Sequence, residues 1–143
     1  MNKICTSIEQ SKKLMELGID VNTADMFYAD ILVDGNHKYN LHPLESYGFK
    51  TFGETKLKKS KHLDFIPVWS LSALLELIPP YLGEFKDGID FGFSKAINGK
   101  WYSAYYIKLD DNGLASFNKT VTGDTAIDAA FEMIVWLKEN NKI

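Results

Sequence analysis

At 143 residues, 45% hydrophobic and 24% charged, the chain has the makeup of one soluble globular domain that buries a core without covalent staples. Its lone cysteine, Cys5, excludes an internal disulfide framework and fits a reducing cytoplasm; apolar runs stop short of membrane-spanning length, and MNKICTSIEQSKK has no signal-peptide run. Net charge is −3, yet all 16 basic residues are Lys, and the absence of Arg argues against sequence-reading contacts to nucleic acid, although Lys can still neutralise phosphate as a point charge.

In chain order, Thr6-Ser7-Ile8-Glu9 reads as a capping box with Thr6 as the cap. The spacing predicts a helix from Ser7 to Leu17, stopped by Gly18 in a left-handed turn, with Ile19 making the accompanying apolar contact. Thr23–Tyr28 can form a further turn. Ile31-Leu32-Val33 then reads as strand, Asp34-Gly35 as a tight turn and His37–Leu41 as a return strand. From His42 to Asp64 the periodicity dissolves. Pro43, Gly48 and Gly53 interrupt it and Lys56, Lys58, Lys59 and Lys61 crowd together, so residues 42–66 read as a mobile, Lys-rich loop.

Structure resumes at Pro67-Val68-Trp69-Ser70, with Ser70 as N-cap of a short, heavily apolar helix that Pro79-Pro80 ends. Ile89, Phe91 and Phe93 alternate with polar or small residues as a half-buried strand. Asn98-Gly99 is a hairpin signal opening the strand WYSAYYIKL, and Asp110-Asp111-Asn112-Gly113 turns the chain into LASFNKTV. The best-bounded helix is GDTAIDAAFEMIVWLKEN, residues 123–140. Asp124 or Thr125 can cap it, and Asp128 and Lys138 complement its dipole. Ile127, Ala130, Phe131, Ile134 and Leu137 form one apolar stripe, while Ala129, Met133 and Trp136 form a second. That width implies either a broad core face or an interface, including a dimer through this helix. The expected architecture is α+β in a single domain, 1–143. An α-β-β-β-α core over 67–143 holds a three-stranded antiparallel sheet, with an N-terminal helix and hairpin as extension.

Three stretches, SIEQSKKLMELGIDVNTADMFY, PVWSLSALLELIP and GDTAIDAAFEMIVWLKENNKI, together resemble a family of small uncharacterised proteins from phages and mobile elements of gut bacteria. The resemblance implies a mobile-element accessory protein, and brings no activity, cofactor or catalytic residue. Gly99–Leu137, a strand pair followed by Gly-Asp-Thr and an Ala-rich helix, is similar to the HicB-type antitoxins. The element order also looks like the double-stranded RNA-binding domain, whose last helix presents Lys to phosphates. Here Asp124 and Asp128 stand at those positions and would repel them.

Metal and catalytic motifs are absent from the sequence pattern. His37, His42 and His62 have no structural-zinc spacing, and no motif places a histidine beside Cys5. Asp110–Asn112 mimics a calcium loop, but its twelfth position is Val121 rather than Glu. No glycine-rich phosphate loop appears, so no cofactor is expected. The candidate binding residues are Lys56, Lys58, Lys59 and Lys61 in the loop, Tyr102 and Tyr106 on one face of the aromatic strand, and Trp136 on the last helix. They suit a non-enzymatic, protein-binding accessory module. A nucleic-acid-binding factor using the Lys-rich loop is the alternative.

Overall fold

The computed structural model describes residues 3–58, 63–83, 89–109 and 114–143. It is α+β, with three α-helices and two antiparallel sheets. Its contacts divide the chain into two compact units. One is Ile4–Ala73; the other is Leu74–Ile143 with the first residues of the chain.

In the first unit, α1 spans Ile8–Glu16, and its cap is Ser7 rather than Thr6. Ser7 Oγ accepts from the backbone N–H of Gln10, whose side chain accepts in return from Ser7 N–H, at 3.1 Å each. Thr6 is diverted from capping by contacts distant in sequence. Its N–H donates to Trp69 O at 2.9 Å, its hydroxyl accepts from Trp69 N–H at 3.1 Å, and it bonds Ser11 Oγ at 2.8 Å. The far end of α1 follows expectation. Gly18 has φ of 80°, and Ile19 N–H donates to Leu14 O at 3.0 Å, closing a Schellman turn over the buried Leu14–Ile19 pair.

Strands β1 (Met26–Val33), β2 (Asn36–Pro43) and β3 (Leu63–Val68) form a sheet in the order β2-β1-β3. Asp34 and Gly35 both have positive φ, 51° and 78°, the hairpin turn that Asp-Gly favours. The expected loop over 42–66 is largely structured where it is described. β2 runs to Pro43, 3₁₀ turns occupy Leu44–Tyr47 and Phe52–Lys58, and β3 pairs with β1 from Leu63. An aromatic cluster supplies the reason. Phe27, 1% exposed, gathers Phe65, Tyr47 and Phe49 at centroid distances of 5.2, 5.5 and 6.1 Å, with Leu44 and Phe52 buried beside it. These residues have neither helical nor strand period, so spacing alone does not reveal them.

Hydrogen bonds between residues distant in sequence lock this unit together. Trp69 is fully buried and its indole N–H donates to Thr23 Oγ1 at 2.9 Å. Asp25 accepts from both the backbone N–H and the hydroxyl of Ser70. Ser70 Oγ in turn accepts from Ala73 N–H at 3.2 Å, capping α2 (Leu71–Leu77) as the sequence suggests. Tyr28 lies 3.9 Å from the thiol of buried Cys5; burial first, then Cys5, push its phenol up to about 12.

The second unit is a four-stranded sheet, β4 (Tyr81–Leu82), β5 (Ile89–Lys95), β6 (Trp101–Leu109) and β7 (Leu114–Gly123), in that order, with α3 (Ala126–Glu139). Thr125 caps α3 by accepting from Asp128 N–H at 3.1 Å, and Lys3 Nζ meets Asp128 at 2.7 Å. Both apolar stripes of α3 are buried apart from Trp136, which is half-buried. The β5–β6 hairpin closes at Asn98-Gly99 as predicted; the 110–113 turn lies outside the described residues. Gly123 sets how closely β7 meets α3. A Cβ there would lie 2.4 Å from Ala129 N, a backbone atom that cannot swing aside.

Gly123→Ala should therefore destabilise the protein by about 1–3 kcal/mol, the usual cost of forcing extra atoms into a packed contact, seen as a lower denaturant midpoint. Ser103 offers the opposite case, because its hydroxyl is fully buried and, among the described residues, without a hydrogen-bond partner. Ser103→Ala should be neutral or stabilising by about 1 kcal/mol in the same titration, since it removes an unrewarded desolvation.

Candidate functional site

Alternation along β6 sorts its side chains between two faces. Ser103 and Tyr105 are fully buried on the face that meets α3, where the Tyr105 and Trp136 rings are 6.5 Å apart. Tyr105 donates its hydroxyl to Pro79 O at 2.6 Å, and burial raises its pKa well above the usual phenol range. Tyr102, Ala104 and Tyr106 point the other way.

That second face carries a hollow of about 520 Å³. Register explains its form. Ala104 pairs with Gly92 of β5 on one side and Thr120 of β7 on the other, so three small residues cross the sheet in one row. Ser94 and Tyr102 stand in the row on one side and Tyr106 in the row on the other. The tyrosines are four residues apart on one strand, about 13 Å at the ordinary strand rise, and make the walls of a groove floored by Gly92-Ala104-Thr120.

Both walls are held in place. Asn98 Nδ2 donates to Tyr102 OH at 3.4 Å, tying the ring to the β5–β6 turn. Tyr106 lies over Gly92 so closely that a Cβ there would be 3.0 Å from its ring. Among the described side chains, those lining the groove include no carboxylate, amine, imidazole or thiol. This arrangement can grip an apolar or aromatic group and hydrogen-bond its rim through phenols and aliphatic hydroxyls.

The sequence-predicted residues fall on different surfaces. Tyr102 and Tyr106 share the groove. Trp136 is on the opposite face of the same sheet, where Lys119 Nζ sits 5.7 Å from its ring centroid. Lys56 is exposed on the 3₁₀ segment of the other unit, whereas Lys59, Lys61 and the Lys58 side chain lie outside the described residues. Sequence reasoning missed the groove floor. The available signal was Gly92 inside the alternation of β5, since a glycine within a strand often marks close approach by another group. Among the described residues no three His, Cys, Asp or Glu side chains cluster to hold a metal, and no helix is long and apolar enough to cross a membrane. Comparison with protein families, curated proteins and solved structures finds no match.

The buried phenols predict an alkaline limit to stability. A folded-state pKa raised above the ordinary value of 10.0 stabilises the fold fully below that pH, and the contribution is lost as pH climbs through the raised value. For Tyr28 the window is pH 10 to about 12. Ultraviolet titration of the folded protein should show Tyr28 and Tyr105 ionising late, and Tyr105→Phe should remove one late-ionising phenol.

Proposed function

We propose that this protein is a non-catalytic module that binds a protein partner through the Tyr102–Tyr106 groove, receiving an apolar or aromatic segment of that partner. The observation that supports it best is the pre-set groove itself. Two rings are already positioned over a floor of small residues, and the lining is uncharged among the described side chains. Groups fixed before binding lose little freedom on association, and aromatic anchors in pockets carry much of the energy of protein contacts. The phage or mobile-element setting implied by the sequence resemblance suits such an accessory role, with a host or element-encoded protein as partner.

Tyrosines on an open sheet also stack on nucleobases, but that use pairs them with cations for the phosphates. Among the described side chains, the lining supplies none. The two uses separate by salt, because counterion release makes nucleic-acid affinity fall steeply with ionic strength while an apolar contact barely responds.

Affinity capture from host lysate, with nuclease and at moderate salt, should retain a stoichiometric protein. Thr120→Arg places a charged side chain on the exposed end of the groove floor and should release that protein while leaving the thermal transition near wild type. Tyr106→Ala should weaken capture by roughly tenfold or more, in line with loss of an aromatic anchor. A partner unaffected by both substitutions would refute the groove as its site. Nucleic acid recovered only at low salt would move the function to the Lys-rich segment.

A further inference from the structure

The Asn98-Gly99 pair that turns β5 into β6 carries chemistry besides its geometry. An asparagine side-chain amide is most open to attack by the next backbone nitrogen when glycine follows, because no side chain obstructs closure of the five-membered ring. Solvent reaches this pair. Asn98, Gly99 and Lys100 are exposed, and so is Ile97 before them. Apart from its chain neighbours, no described atom lies within 4 Å of where a Gly99 Cβ would sit.

Yet the reacting atoms are held. Gly99 N, the nucleophile, donates its proton to Ala96 O at 2.9 Å. Asn98 Oδ1 accepts from Lys100 N–H at 3.0 Å, and Nδ2, the leaving group, donates to Tyr102 OH at 3.4 Å. A bond from Ala96 N–H to Lys100 O, 2.9 Å long, closes the turn around them. The nitrogen attacks only after giving up a proton that Ala96 holds, and the side-chain amide rotates only by leaving Lys100 and Tyr102. Both changes come with opening of the turn, a local event that costs less than global unfolding at an exposed hairpin end.

We propose that Asn98 is a site of spontaneous deamidation, gated by opening of the β5–β6 turn, whose products put a negative charge at the Tyr102 wall of the groove.

The reaction needs only water. Gly99 N, deprotonated by hydroxide, bonds to Asn98 Cγ; the Cγ–Nδ2 bond breaks, and the nitrogen takes a proton from water and leaves as ammonia. Water then opens the resulting succinimide. Cleavage of the new Cγ–N bond yields aspartate on the ordinary backbone. Cleavage at the Asn98 backbone carbonyl yields isoaspartate, whose chain runs through Cβ and Cγ and is one atom longer. No atom changes oxidation state.

The two products alter the site differently. Aspartate keeps an acceptor for Lys100 N–H but loses the Nδ2 donor, so a carboxylate faces the Tyr102 hydroxyl of a groove whose described lining carries no charge. Isoaspartate lengthens the chain between Ala96 and Lys100 and displaces the bonds that close the turn. Neither change depends on what the groove binds.

The test is peptide mapping by mass spectrometry of the full chain held at neutral pH, folded and in urea. A second Asn-Gly pair, Asn112-Gly113, lies outside the described residues and is followed separately. In urea, Asn98 should gain the mass difference between an amide and an acid, with aspartate and isoaspartate both formed. In the folded chain the same conversion should proceed more slowly by about tenfold or more, the slowing that the turn's hydrogen bonds set together. Ile97→Pro stiffens the turn without touching a reacting atom, since Ile97 lies outside the left-handed region and proline suits the first central position of such a turn. It should slow the folded conversion further and leave the rate in urea unchanged. Tyr102→Phe removes the acceptor of Nδ2 and should speed the folded conversion. Equal rates in the folded chain and in urea overturn the gating, as does a folded rate that ignores both substitutions. An Asn98 that stays an amide in the folded chain throughout prolonged incubation, while it converts in urea, overturns the site.

Discussion

The second unit depends on an atom that is missing. Gly123 has no Cβ, and the space one would fill is occupied by the backbone of α3 at Asp128 and Ala129. Because strand and helix meet at that distance, Ala129 and Ala130 can be buried completely, with Ile127, Met133 and Ile134 closing over them. The same contact decides which face of β6 becomes interior. Tyr105 goes inward and must find an acceptor for its hydroxyl, which Pro79 supplies. Tyr102 and Tyr106 are left on the far side. The groove is thus the other half of a packing decision made at the end of β7.

The first unit is organised differently. Its core is small and built from rings around Phe27, and much of its definition comes from hydrogen bonds among Thr6, Ser11, Thr23, Asp25, Trp69 and Ser70. Each of these bonds, apart from Thr6–Ser11, joins residues more than forty positions apart in sequence. Such a network is specific because every member needs its partner; a buried donor left alone costs more than the bond contributes.

This contrast explains what was legible in the sequence. α3, the β5–β6 hairpin, the Asp34-Gly35 turn and the glycine ending of α1 are local solutions, written in period, caps and turn residues, and each stands near its expected place. The structured course of residues 42–58 and the strand β3 were illegible, because Leu44, Phe49, Phe52 and Phe65 are placed by a shared contact with the Phe27 cluster rather than by period. The Thr6-to-Ser7 shift of the α1 cap has the same origin, since a hydroxyl claimed by Trp69 cannot cap. Of the groove, the two tyrosines could be read from alternation. Its floor could not, because pairing Gly92, Ala104 and Thr120 across three strands requires the register.

The three tryptophans are distributed in a way that gives the protein internal spectroscopic labels. Trp69 is sealed in the first unit with its indole N–H bonded to Thr23. Trp101 and Trp136 are half-buried in the second, one stacked on Phe93 at 5.2 Å and the other beside the Lys119 ammonium. An indole in a dry interior emits at shorter wavelength than one touching water. The blue component of the emission therefore belongs to one compact unit and the red to the other, and loss of order in either can be followed by colour without adding a dye.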